Sequence, residues 1–111
     1  MKLKELQEKL NLQLLNNEVD ITSKEVSWAY CSDLLSDVIA NIEANYLWIT
    51  IQKHPNIIAV ATLKDISGII LTNNTDADPE TLSKANENDI PVFKTPKSSF
   101  EICGEIYKLL T

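Results

Sequence analysis

The chain predicts a single α/β domain, a mainly parallel sheet flanked by helices in three layers. Three observations carry this. From about residue 25 onward, short β-rich apolar runs alternate with helix-length amphipathic segments, the signature of βαβ units. The runs Tyr46–Ile51 and Gly68–Thr72 are nearly continuously apolar, as strands covered on both faces are. The length of 111 residues allows one compact core and falls short of two ordinary domains.

In order along the chain, Leu3, Leu6 and Leu10 recur at helical spacing among lysines and glutamates, predicting an amphipathic helix over residues 2–11. Leu12, Leu14 and Leu15 form a short strand closed by the turn signal Asn16-Asn17. Glu25 to Cys31 alternates, with Val26, Trp28 and Tyr30 on one side, and reads as a second strand. Ser32 or Asp33 can then cap a helix to about Asn41, with Leu34, Leu35, Val38 and Ile39 as its buried stripe.

After the Tyr46–Ile51 strand, Asn56–Lys64 reads as a helix, although its β-branched residues also fit a strand. Gly68–Thr72 is a strand closed by Asn73-Asn74. Asp78-Pro79-Glu80 opens a helix to about Asn88, with proline where its missing N–H costs little. Ile90–Phe93 forms the next strand, and the last helix, Phe100–Leu110, carries Ile102, Cys103, Ile106 and Leu109 on its apolar stripe.

Composition narrows the function. The net charge is −6 and all ten basic residues are lysines, which excludes a cationic face for nucleic acid and removes the bidentate arginine clamp on phosphate or carboxylate. No run is long and apolar enough for a membrane span, and the N-terminus lacks a signal-peptide core, so the expected location is cytoplasmic and no membrane partner is expected. Cys31 and Cys103 stand far apart with a single histidine in the chain, so no metal site is expected, and both read as buried, reduced small hydrophobes. No Walker or dinucleotide fingerprint is present, and no cofactor is expected.

The candidate functional residues stand at the carboxyl ends of the proposed strands: Ser32 and Asp33, Thr50, Gln52 and His54, Thr72 and Asn73, and Thr95 and Ser98. In an open α/β sheet these gather along one edge, where helix N-termini offer N–H donors to an anion. Ser32 and Asp33 can serve as caps or ligand contacts. Asp37, one turn after Asp33, can pair with it or simply complement the helix dipole. His54 can act as a base or form a turn. Trp28 and Trp48 can stack a base, fill the core or line a dimer interface. Nucleophile, base and phosphate clamp do not assemble into one reaction, so the expected role is non-catalytic.

The segments Val26-Ser27-Trp28-Ala29-Tyr30-Cys31-Ser32-Asp33-Leu34-Leu35-Ser36-Asp37-Val38 and Trp48-Ile49-Thr50-Ile51-Gln52-Lys53-His54-Pro55-Asn56-Ile57 resemble the small stand-alone proteins of the DRTGG domain family. The likeness extends through Gly68–Thr72 and Pro91–Phe100. The Asp-Arg-Thr-Gly-Gly sequence of the family name is not kept: Ser27-Trp28-Ala29 follows Val26, and the chain has no arginine. The resemblance implies an α/β accessory module of the kind fused to CBS pairs, to a phosphotransacetylase or to HPr kinase/phosphorylase. The expected role is regulatory, with a small anionic ligand or adenine nucleotide at the strand-end edge; the small size, the two tryptophans and the family's accessory role point to a homodimer. The competing expectation is a subunit that modulates a partner enzyme without any small ligand.

Overall fold

The computed structural model describes residues Met1–Thr111. The elements are α1 (Leu3–Leu10), β1 (Gln13–Leu14), β2 (Trp28–Cys31), α2 (Leu35–Asn41), β3 (Tyr46–Thr50), α3 (Asn56–Lys64), β4 (Gly68–Leu71), α4 (Pro79–Glu87), β5 (Val92–Lys94) and α5 (Ser99–Leu110). The five strands lie in the order β1-β5-β4-β3-β2; β2 to β5 are parallel, and only the two-residue β1 runs antiparallel, on β5. Asn56–Lys64, open to either reading in the sequence, is a helix.

The pleat sends alternate residues of each central strand to opposite layers. Trp48, Ile69, Leu71 and Val92 pack with Val38 of α2, Ile57 and Ile58 of α3 and Ala85 of α4. Leu47, Ile49, Ile70 and Phe93 pack with Leu3 and Leu6 of α1 and Ile102 and Ile106 of α5. Three layers result, with α2, α3 and α4 on one face and α1 and α5 on the other. That both faces are covered explains the unbroken apolar runs of β3 and β4.

With only two glycines, the chain makes its left-handed turns with asparagine and aspartate. Asn11, Asn45, Asp65, Asn73, Asn74 and Asp89 all have φ between 53° and 67°. Short polar side chains tolerate this region better than other non-glycine residues do. Asn11 and Asp65 terminate α1 and α3 in this way. Gly68 is needed for a different reason: a Cβ there would stand 3.2 Å from the Pro91 carbonyl oxygen, between β4 and β5.

Three expectations need correction. Leu34 and Ile39 are exposed rather than buried, because α2 begins at Leu35 and turns Val38 inward instead. The N-cap of α2 is Leu34, without a side-chain cap; Ser32 Oγ accepts from the Leu34 N–H, while the Asp33 carboxylate turns toward β3. The cysteines are not fully buried: Cys31 is exposed at the end of the edge strand and Cys103 is half-buried. The tryptophans divide, Trp48 lying wholly in the core and Trp28 on the sheet edge with its ring 5.6 Å from that of Tyr107. No helix is long and apolar enough to cross a membrane.

Candidate functional site

A polar residue ends or directly follows each parallel strand, and three of these are threonines that are almost completely buried: Thr50, the last residue of β3, and Thr72 and Thr95, just after β4 and β5. Their hydroxyls build the loops. Thr50 Oγ1 accepts from the Gln52 N–H at 3.1 Å, and Thr95 Oγ1 accepts from the Lys97 N–H at 3.3 Å. The same short turn, hydroxyl to the N–H two residues on, bends the chain out of two strands. Thr72 Oγ1 lies 2.8 Å from Ser99 Oγ, tying the end of β4 to the start of α5.

The strand-end residues fall into two clusters. In the first, Asp33 Oδ1 accepts from Thr50 Oγ1 at 2.7 Å and from the Ile51 N–H at 3.0 Å, and Gln52 Nε2 donates to the Asp33 carbonyl at 3.0 Å. Trp48 Nε1 donates to the Ser32 carbonyl at 2.8 Å, anchoring this cluster to the core. Asp33 therefore fastens the β3–α3 loop to the β2–α2 loop. In the second cluster, the Asn73 N–H donates to the Lys97 carbonyl and the Asn74 N–H to the Thr95 carbonyl, both at 2.9 Å. The Thr72 N–H, donating to the Thr50 carbonyl at 3.2 Å, joins the two clusters along one edge.

Chain direction distinguishes them. The helices after β2, β3 and β4 all cover one face, whereas α5, after β5, covers the other. Neighbouring loops thus diverge only between β4 and β5, and divergence of this kind opens the ligand crevice of an α/β sheet. Asn73, Asn74, Thr95, Lys97, Ser98 and Ser99 occupy that position. The side chains of Asn73 and Asn74 are exposed on consecutive left-handed residues.

Ser98 is spoken for by a capping box. Its Oγ accepts from the Glu101 N–H while Glu101 Oε1 accepts from the Ser98 N–H. The Ser98 N–H, and then the Ser98 hydroxyl, which also donates to Oε1, hold the Glu101 carboxyl below its usual pKa. Lys97 Nζ is paired with Glu105 at 2.6 Å. His54 stands apart: its Nδ1 accepts from the Asn56 N–H, closing the turn into α3, and its ring lines a shallow polar groove with Asn56, Glu80 and Lys84 between α3 and α4.

Sequence reasoning passed over Ser99 and Thr81. Thr81 is fully buried and its Oγ1 donates to the Lys53 carbonyl at 2.6 Å, holding α4 to the β3–α3 loop. Hydroxyls placed just inside helix starts were the available signal.

Asp37 does not pair with Asp33; both its oxygens accept from the Tyr30 hydroxyl at 2.9 Å. The Ser32 hydroxyl, then that of Tyr30, holds the Asp37 carboxyl below its ordinary 3.8. In turn, the bond to Asp37, burial and the carboxylate charge raise the Tyr30 phenol above its ordinary 10.0. A lowered acid stabilises the fold above its unfolded pKa and a raised phenol does so below its own. The contact is therefore complete from about pH 4 to about pH 10, is lost as pH falls through the Asp37 folded pKa, and is lost as pH rises through that of Tyr30. Asp37→Asn should move the Tyr30 titration back toward 10.0, read by NMR of the tyrosine ring carbons; an unmoved Tyr30 would contradict this pairing.

These features define a class: a three-layer α/β domain whose polar strand-end edge is built from interlocked loops, with no group of three His, Cys, Asp or Glu side chains placed to hold a metal ion. The model of the DRTGG domain matches residues 5–109, and the chain belongs to that family. No curated protein sequence matches it significantly. Among solved structures, it is similar to the CBS and DRTGG domains of the regulatory region of Clostridium perfringens pyrophosphatase, complexed with its activator diadenosine tetraphosphate. The TM-score is 0.70 at 18% identity, over 95% of this chain and 45% of that one. This chain thus spans under half of that structure's length.

Proposed function

We propose that this domain is a non-catalytic regulatory module that senses an adenine nucleotide or another small anion at the carboxyl edge of its sheet, in the crevice between the β4–α4 and β5–α5 loops. The observation that carries the reading is the divergence of those two loops to opposite faces, with exposed Asn73 and Asn74 amides beside the N-terminus of α5. The amides supply donors and acceptors for a base or ribose, and the helix terminus favours negative charge. Family membership and a fold neighbour from a nucleotide-activated pyrophosphatase support the same direction.

The test is thermal unfolding of the full chain against ATP, ADP, AMP, diadenosine tetraphosphate and inorganic phosphate, with and without magnesium. A ligand present at 100 times its dissociation constant adds about 2.7 kcal/mol. The paired variant Asn73→Ala/Asn74→Ala should weaken the response about tenfold or more. A response of unchanged strength in that variant would move the site elsewhere on the molecule.

A second reading has its own observation. Leu34 is 64% exposed and Ile51 44% exposed, and these residues flank the Asp33 bonds at the same edge; Phe100, on the first turn of α5, is 90% exposed. Exposed apolar side chains around a polar edge suit a protein contact, either a second copy in a homodimer or a partner enzyme. Light scattering across a concentration series distinguishes them: a dimer mass supports self-association, and a monomer at every concentration leaves the partner enzyme.

A further inference from the structure

Strand β2 is the open edge of the sheet, and α5 crosses the opposite layer to lie beside it, with Cα atoms of the two elements within 8 Å of one another. Between them runs an apolar groove of about 200 Å³, lined in part by Trp28, Ile49 and Tyr107. Cys31, from the last position of β2, and Cys103, from the second turn of α5, both open into this groove and both are free thiols. They are the only cysteines in the chain.

We propose that Cys31 and Cys103 form an oxidative modification site, closing a reversible intramolecular disulfide that staples α5 to the sheet edge when the domain meets hydrogen peroxide. The two thiols are unequal. Burial, and then the neighbouring Cys31, push the Cys103 thiol up to about 12, so it stays protonated and waits. Cys31 is exposed and meets the oxidant first.

In the first step the Cys31 thiolate attacks one oxygen of hydrogen peroxide. The S–O bond forms, the O–O bond breaks, and the departing hydroxide takes up a proton as water, leaving a sulfenic acid on Cys31. In the second, the Cys103 sulfur attacks the Cys31 sulfur. The S–S bond forms, the S–O bond breaks, and the departing hydroxide takes the Cys103 proton, giving a second water. Both thiols are oxidised by two electrons in total and the peroxide is reduced by two. A thiol reductant reverses the bond.

The cross-link would close a loop from Cys31 to Cys103 that contains β3, β4, β5 and every crossover helix. Constraining so long a segment of the unfolded chain raises stability. It would also fix the helix whose first turn carries Ser99, hydrogen-bonded to the end of β4.

The full-length reduced protein is treated with hydrogen peroxide and followed by intact mass, thiol counting and non-reducing peptide mapping. The expected result is a monomer that has lost the mass of two hydrogens and both free thiols, with the Cys31 and Cys103 peptides joined. It should unfold at a higher temperature than the reduced form and be restored by dithiothreitol. In Cys103→Ala, Cys31 should accumulate as a sulfenic acid that dimedone traps, whereas in Cys31→Ser, Cys103 should keep its thiol under the same treatment. A Cys31–Cys31 cross-link between two chains, or Cys31 overoxidised in the wild type beside a free Cys103, would overturn the proposal.

Discussion

Trp48→Ala is expected to destabilise the domain by about 3–5 kcal/mol, the usual cost of emptying a large aromatic site. Trp48 has no exposed surface and sits in β3, an interior strand of the parallel array, packed in the layer that α2, α3 and α4 cover. Total stability for a domain of this size is about 5–15 kcal/mol, so the loss is a large fraction of it. The melting temperature should fall by at least ~10 °C, at roughly 4–8 °C per kcal/mol. Chemical denaturation followed by circular dichroism measures it. Trp48→Phe separates the packing from the hydrogen bond, because phenylalanine keeps most of the volume and leaves the Ser32 carbonyl without its indole donor. That variant should unfold with a smaller loss, and its β2–α2 loop should exchange amide hydrogens faster. A Trp48→Ala protein as stable as the wild type would contradict the placement of this side chain.

Asn16→Ala is expected to cost about 2–6 kcal/mol, from two buried backbone groups each left unpaired at roughly 1–3 kcal/mol. Asn16 is 2% exposed. Its Nδ2 donates to the Ile90 carbonyl and its Oδ1 accepts from the Val92 N–H, both at 2.8 Å. Just before it, the Leu15 N–H donates to the Val92 carbonyl. The side-chain amide continues the β1–β5 ladder after the backbone has left it, and so fastens the N-terminal segment to the sheet. Asn16→Asp should be nearly as damaging as alanine, since a carboxylate repels the Ile90 carbonyl and is costly to bury. Equal stability of Asn16→Ala and the wild type, by the same unfolding measurement, would show that water or backbone rearrangement satisfies these groups.

Asn16 shows where sequence reasoning stopped. Asn16-Asn17 reads as a turn by composition, yet the first asparagine lies inside the protein. Nothing local announces that its partners are Ile90 and Val92, more than seventy residues away. The strand-end residues behave likewise. That Ser32, Asp33, Thr50, Thr72 and Thr95 share one edge was legible, because each follows an apolar run of strand length. That the hydroxyls of Thr50 and Thr95 turn their own loops, that Asp33 bridges to Thr50, and that His54 faces a separate groove was not. Those outcomes depend on which face each following helix takes.

The class of fold and most element positions were legible in the residues alone. Hydrophobic periodicity is a local property, set by which positions along a run must leave water; the last helix was readable from it nearly to its ends, whereas the β-branched run Asn56–Lys64 fitted helix and strand alike. Left-handed asparagines and the early proline of α4 supplied the punctuation. That α5 crosses to the far layer, so that the loops after β4 and β5 leave toward opposite faces, and that Cys31 and Cys103 share one groove, came from the tertiary structure alone. These are relations between segments distant along the chain, and the energy that selects them is the burial of both sheet faces at once, which no single stretch of residues encodes.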